Sequence, residues 1–287
     1  MMEKLAVIGL GLIGGSMALD LKKRRNYEVL GIDKNPNHIK KALELGIIDR
    51  ETDFSELADA SVVIVAVPVN KIAEVSTKVL DAIGDETLVF DVGSVKNNIC
   101  EFIKSHPRRK NFVAAHPLAG TEFSGPEAAI SNLFDEKVAI ICESEKTHWE
   151  TLDIAISLFK QLNMRIKMMN PIDHDRHVAY VSHLSHVSAF MLGKTVLEIE
   201  KNEQAIFDMA STGFASTVRL AKSSANTWTP IFLENKENIV TSLEEYIKNL
   251  VEFKKFIESN DDDMLNKTMN NTNYIKTILN GIKSNDK

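Results

Sequence analysis

At 287 residues, 44% of them hydrophobic and 26% charged, the chain has the make-up of a globular protein with room for two modest domains. A net charge of −6 argues against nucleic acid as the main partner, because phosphate binding needs a positive surface. The two cysteines, Cys100 and Cys142, have the spacing of neither a disulfide framework nor a cysteine-rich metal site. Met-Met-Glu-Lys passes into a strand-like run without a signal-peptide pattern, and the longest apolar stretch, Val62 to Val69, is too short to span a bilayer. No membrane partner is expected, and the expected compartment is the cytoplasm.

The first half alternates strand and helix signals. Leu5–Gly9 reads as a strand opening into a glycine turn, with a helix over Ser16–Lys23. Glu28–Asp33 is the next strand, followed by helix near Ile39–Leu45. Val62–Val69 is an apolar, β-branched run without alternation, which suits a parallel strand buried on both faces. Further strands are predicted at Thr87–Val92, Phe112–Ala115, Lys137–Cys142 and Arg165–Met169, with a helix at Trp149–Leu162. The alternation predicts a mostly parallel, Rossmann-type sheet with covered faces.

After Met169 strand signals nearly vanish. Asn170-Pro171 punctuates the chain, and helices are predicted over Asp175–Lys201, Ser216–Ala225, Asn238–Glu258 and Met264–Ile282, with Asp261-Asp262-Asp263 as a break or cap. The expected organisation is a nucleotide-binding domain over residues 1–169 and an all-α domain over 170–287. The apolar face from Ile239 to Ile257 is wider than a small helical domain needs, so a homodimer through this second domain is expected.

Gly9-Leu10-Gly11-Leu12-Ile13-Gly14 is a GxGxxG that ends the first strand and opens a helix, with Asp33 about 20 positions on at the end of the second strand. Gly9 permits the tight turn, Gly11 the approach of backbone to a pyrophosphate, and Gly14 the packing of helix on strand. The amides around Leu12 and Ile13 at the helix N-terminus then face the phosphates. Asp33 suits the adenosine ribose hydroxyls and repels a 2′-phosphate, so NAD is the expected cofactor.

Two segments fall after strands, where ligand groups of open parallel sheets collect: Asp91-Val92-Gly93-Ser94-Val95-Lys96, and the run from His116-Pro117 through Gly120-Thr121-Glu122 to Ser124-Gly125. The helical half adds Asp173-His174-Asp175, Ser182-His183-Leu184-Ser185-His186, Arg219 and Trp228. In this order and spacing the segments resemble the prephenate and arogenate dehydrogenase family over essentially the whole chain. The resemblance implies that His116 is the catalytic base on the ring hydroxyl and that Ser94 helps place that hydroxyl and the nicotinamide. It implies that Arg219 binds a substrate carboxylate, that Ser182 and His186 line the pocket, and that Glu122 and Trp228 lie near its entrance. Ser185 stands where the family often has proline.

The implied reaction is the oxidative decarboxylation of prephenate to 4-hydroxyphenylpyruvate in tyrosine biosynthesis, with hydride passing to NAD. As hydride leaves the carbinol carbon the hydroxyl must lose its proton, and a neutral histidine suits that near pH 7, with activity rising through a group of pKa about 6–7. A guanidinium matches a carboxylate in a bidentate way that lysine does not. Arogenate dehydrogenase is the alternative within the family. A β-hydroxyacid dehydrogenase would place a lysine on the second-domain helix, where this chain has serine and histidine; a non-catalytic dinucleotide sensor would not need base, serine and arginine together. Histidines 174, 177, 183 and 186 raise the question of a metal. At about 100° per residue a straight helix puts His177, His183 and His186 at about 300°, 180° and 120° from His174, two pairs on roughly opposite faces, so no metal site is expected; Ser182, at about 80°, shares a face with His186. His183 is left outside the catalytic set.

Overall fold

The computed structural model describes residues 2–200 and 209–284. Eight strands form one sheet: β1 (Glu3–Ile8), β2 (Tyr27–Ile32), β3 (Arg50–Glu51), β4 (Val62–Val65), β5 (Leu88–Asp91), β6 (Phe112–Pro117), β7 (Val138–Cys142) and β8 (Arg165–Met169). Their order is β3-β2-β1-β4-β5-β6-β7-β8, and every neighbouring pair is parallel except β6 and β7. The chain thus runs outward to one edge, returns to the centre at β4, and continues to the other edge. The reversal between β1 and β4 opens a crevice at the carboxyl ends of the strands.

The central strands are apolar throughout because both faces are covered. Alternate residues point to opposite sides. Leu5, Val7, Ile64, Phe90 and Val113 pack with Met17 and Leu21 of helix α1 (Leu12–Arg24) and with Leu158 and Phe159 of α5 (Trp149–Gln161). Ala6, Ile8, Val63, Val65 and Val89 pack instead with Val79 and Leu80 of α3 (Val69–Ala82) and with Ile99 and Ile103 of α4 (Asn97–Ile103). Phe90 meets Phe159 edge-on, ring centroids 5.3 Å apart. Helix α2 (Pro36–Glu44) follows β2, N-capped by the Asn35 side chain with Pro36 in the first turn, an ordinary start signal.

The strand expected over Val62–Val69 ends at Val65, because Pro68 takes the N-cap position of α3 and Val69 is already helical. The two-residue β3 is too short to leave a periodic signal.

Beyond the sheet, the Asn170 side chain accepts from the Ile172 amide and Pro171 starts helix α6 (Pro171–Val178). A single π-helical turn, Ala179–His183, separates it from α7 (Leu184–Glu200). The long helix expected from Asp175 to Lys201 is therefore two α-helices joined by a bulge; its last residue, Lys201, lies outside the described residues. The helix expected over Ser216–Ala225 is also divided. Helix α8 (Thr212–Thr217) stops at Val218, a 3-10 turn covers Arg219–Lys222, and α9 (Ala225–Glu234) starts after extended Ser223 and Ser224. Serine is a poor helix interior and a good cap, which accounts for the break.

By its internal contacts the chain divides into two compact units, Met1–Ile239 and Val240–Lys287. Helix α10 (Lys236–Glu258) starts at the end of the first; α11 (Asp262–Thr272) and α12 (Ile275–Ser284) belong to the second. Asp261 caps α11 by accepting from the Met264 amide at 3.0 Å. The single helix expected over Met264–Ile282 breaks at Asn273 and Tyr274, after the weak helix formers Asn271 and Thr272. No helix among the described residues is long and apolar enough to cross a membrane.

Candidate active site

The glycine turn sits at the carboxyl end of β1. Gly9 has φ 95°, and a Cβ there would stand 2.4 Å from the Ala66 carbonyl oxygen. A Cβ at Gly14 would come within 2.1 Å of the Gly9 oxygen, so both positions exclude a side chain. Gly11 has open space where its Cβ would be, and as the N-cap of α1 it supplies no side-chain cap. The first-turn amides of Leu12 and Ile13 follow it at the N-terminus of α1, where backbone donors lack helical partners.

Asp33 follows β2 and is nearly buried. Its Oδ2 accepts from the Leu10 amide at 2.9 Å and lies 3.3 Å from His38 Nδ1; its Oδ1 accepts from the Asn35 amide at 2.9 Å. These bonds fix the carboxylate beside the glycine turn.

His116 stands on β6, 9% exposed. Its Nδ1 is 2.8 Å from Nε2 of the fully buried His174 on α6. His174 Nδ1 is in turn 2.7 Å from Asp175 Oδ1. The Asp175 carboxylate also accepts from the Lys96 amide at 2.8 Å and the Asn97 amide at 2.9 Å, which pins α6 to the loop after β5. Burial, with His174, Lys96 and His183 close by, pushes the His116 imidazole well below its ordinary value. This direction runs against the expectation of a group near pKa 6–7: a buried imidazole facing cationic and imidazole neighbours favours its neutral form.

Beneath His116, Lys96 is fully buried. Its ammonium binds the Asp91 carboxylate and donates to the Ala115 carbonyl at 2.8 Å, tying β5 to β6. Burial pushes the Asp91 carboxyl up, while Lys96 and the Gly93 and Ala115 amides favour its charged form.

The π turn resets the face that the later histidines present. One inserted residue turns everything after it back by about 100°, so His183 moves to about 80° and His186 to about 20° from His174. The opposite-faces expectation for a straight helix does not hold. His183 is fully buried, and its Nδ1 accepts from Asn235 Nδ2 at 3.1 Å. The same amide donates to the Asp175 carbonyl at 2.7 Å. His183 therefore carries its proton on Nε2, a buried donor without a partner among the described residues. Burial lowers its pKa to about 4. His186 Nδ1 donates to the Ser182 carbonyl at 3.0 Å, and its ring stacks on Trp228 with centroids 3.3 Å apart. Trp228 also meets His183 edge-on at 5.9 Å. Among the described residues no group of three or more histidine, cysteine or acidic side chains is arranged to hold a metal.

Arg219 leaves the 3-10 turn half-exposed and its Nη1 donates to Glu122 Oε2 at 3.3 Å, across 97 positions of sequence. It stands close enough to lower the pKa of His186 further, after burial. Ser94 is half-buried in the loop after β5, and its hydroxyl makes no hydrogen bond to His116 or to any other described residue. The residues picked from the sequence thus fall in three places: His116 against His174, His186 stacked on Trp228 with its Nδ1 on the Ser182 carbonyl, and an ion pair at Arg219 and Glu122. The residues behind His116 were not picked as site residues: His174, Asp175, Lys96 and Asn235. The sequence signal was an Asp-His-Asp at a helix start and a lysine after a strand, both common on surfaces.

Two domain profiles of one family match the chain, "Prephenate dehydrogenase, nucleotide-binding domain" over residues 17–168 and "Prephenate dehydrogenase, dimerization domain" over residues 170–271. The chain belongs to the prephenate dehydrogenase family. Among curated relatives, a prephenate dehydrogenase of Bacillus subtilis is 32% identical over 92% of this chain and 73% of its own length. A cyclohexadienyl dehydrogenase of Zymomonas mobilis is 31% identical over 92% of this chain and 91% of its own. Among solved structures, the prephenate dehydrogenase of A. aeolicus, in complex with hydroxyphenyl propionate and NAD+, superposes with a TM-score of 0.88 at 31% identity, covering 97% of this chain and 99% of that one. A Synechocystis arogenate dehydrogenase superposes with a TM-score of 0.77 at 28% identity over 96% and 99%. The chain is an enzyme of this family, an oxidoreductase with a nucleotide-binding Rossmann-type sheet followed by helices. The nucleotide-binding match begins after the glycine turn, so the geometry of Gly9, Gly11 and Gly14 supplies what that match leaves out.

Proposed function

We propose that the enzyme oxidatively decarboxylates prephenate to 4-hydroxyphenylpyruvate, with NAD as hydride acceptor, in tyrosine biosynthesis. The observation that carries this reading is His116: a buried imidazole near the carboxyl end of β6, in surroundings that favour its neutral form, with an arginine and a stacked imidazole–indole pair among the residues of the same unit. NAD, when bound, supplies the hydride acceptor. Gly9, Gly11, Leu12, Ile13, Gly14 and Asp33 hold it; residues 1–169 act as its domain and 170–287 as the substrate-binding and dimerisation domain. His116 takes the proton that the ring hydroxyl loses, Ser94 orients that hydroxyl, and Arg219 binds a carboxylate. Ser182, His186 and Trp228 form the apolar and imidazole wall against the ring.

Glu122 favours a second reading. A carboxylate beside Arg219 is a partner for the ammonium that distinguishes arogenate from prephenate, and relatives of both substrate names are similar to this chain. An NADH-release assay with prephenate and arogenate side by side, repeated with NADP, separates the two; release with neither substrate overturns both.

A homodimer fits the second unit, whose helices expose Val240, Ile247, Leu250 and Val251 on α10 and Ile275, Ile278 and Leu279 on α12. Light scattering at micromolar concentration is expected to give twice the chain mass, and a monomer mass overturns the assembly. A cytoplasmic enzyme is the reading that two buried, unpaired cysteines support.

A further inference from the structure

His116 presents a chemical difficulty as a lone base. Its imidazole is buried, stands near the Lys96 ammonium and the His183 ring, and has its charged form strongly disfavoured. A base that resists the proton this firmly does little work unless the charge moves elsewhere.

The hydrogen bonds behind His116 supply that place. Asp175 Oδ1 and Oδ2 accept from the Lys96 and Asn97 amides, so the carboxylate is fixed and its Oδ1 faces His174 Nδ1 at 2.7 Å. A carboxylate only accepts, so His174 carries its proton on Nδ1. Neutral His174 then presents a bare Nε2 to His116 Nδ1, 2.8 Å away, and that contact is a hydrogen bond only if His116 holds its own proton on Nδ1. His116 Nε2 is left as the free lone pair.

We infer that His174 and Asp175 form a proton relay behind His116, an inference that rests on the reading of His116 as the base. The substrate O–H bond breaks as an N–H bond forms at His116 Nε2. The His116 Nδ1–H bond breaks as one forms at His174 Nε2. His116 ends neutral in its other tautomer, and the positive charge rests on His174, against the Asp175 carboxylate. The nearest cation, Lys96, is bound to Asp91 and the Ala115 carbonyl, and His183 keeps its own proton on Nε2 through Asn235. Asp175 is a positioning residue that fixes the starting tautomer; His174 receives the proton.

The wiring is read directly by long-range proton–nitrogen correlation of the full chain labelled with nitrogen-15 in its 8 histidines, His116 being assigned from the spectrum of His116→Gln. At pH 7, without substrate, His116 and His174 should both show the Nδ1–H pattern, the less common tautomer of free histidine. His116 in the Nε2–H form, or charged, overturns the relay whatever the enzyme's substrate proves to be. The chemical half is read from His174→Gln, whose amide oxygen still accepts from His116 Nδ1–H but takes no proton. Its His116 tautomer should be unchanged, with kcat down by roughly 10–100-fold and KM within about twofold. A Gln variant within about threefold of the parent kcat means that His174 only props the ring, and overturns the relay. A wild-type protein with the Nδ1–H pattern but no activity on prephenate or arogenate counts against the substrate reading and leaves the wiring standing.

Discussion

Lys96 Nζ and the Asp91 carboxylate face each other at 0% side-chain exposure, five residues apart at the end of β5. The pair fixes the loop that carries Ser94 and whose amides hold Asp175. Removing one member leaves the other buried and unpaired. Lys96→Met is expected to cost about 3–5 kcal/mol, read from urea denaturation, and a double variant with Asp91→Leu to recover much of it. A loss under about 1 kcal/mol for the single variant would mean that water reaches the site. Because the Lys96 charge also holds the His116 pKa down, a folded Lys96→Met enzyme should have its acid limb shifted toward higher pH.

Stability should follow the imidazoles. His116, His183 and His186 all have folded pKa values below the ordinary one, with His183 at about 4. Below about 6.5 the unfolded chain binds protons that the folded chain does not, so stability rises with pH in that window. It is fully present above about 6.5 and falls as the pH drops toward the folded values. Urea midpoints at pH 7, 6 and 5 should decline, and His183→Gln should flatten the decline by one group's share. Identical midpoints at pH 7 and 5 would refute this.

Base and carboxylate binder should separate in kinetics. His116→Asn is expected to lower kcat by roughly 10²–10⁴-fold. Arg219→Ala should mainly raise KM, because a carboxylate is held in ground and transition states alike. The acid limb of kcat/KM in the parent should lie well below pH 6.5, since His116 is already neutral there. The same kinetic pattern in both variants would undo the assignment of roles.

Asp33 should set cofactor choice. Its carboxylate is held by the Leu10 and Asn35 amides at the end of β2, and it repels a 2′-phosphate. NAD is expected over NADP by at least roughly tenfold in kcat/KM, and Asp33→Ser to narrow the gap. Equal use of the two by the parent enzyme would contradict this.

The elements that were legible in sequence are those decided locally. The glycine turn, the buried strands and the Asn170-Pro171 start of α6 each follow from a few adjacent residues. Arg165–Met169 lies where the pattern placed it, and Asp261 caps as its position suggested. What escaped depends on residues far apart in sequence. The His116–His174 contact spans 58 positions, Lys96–Asp175 spans 79 and Asn235–Asp175 spans 60. Nothing in a helix-start Asp-His-Asp says that one acid will cap a distant helix. The π turn escaped for another reason: Ala179, Tyr180 and Val181 are as compatible with an α-helix, so no local residue marks the bulge.

That bulge makes the second half of the protein sensitive to length as well as to composition. Adding one residue between Val178 and Ser182 would leave a sequence that still reads as a good helix. Every side chain beyond it would then be dialled round by about 100°, taking His183 away from Asn235 and His186 away from Trp228 without altering either residue. A single-codon insertion here should be tolerated by the backbone and ruinous to the pocket, whereas a deletion that straightens the bulge keeps the same face, and many point substitutions at the exposed Tyr180 and Val181 should pass unnoticed.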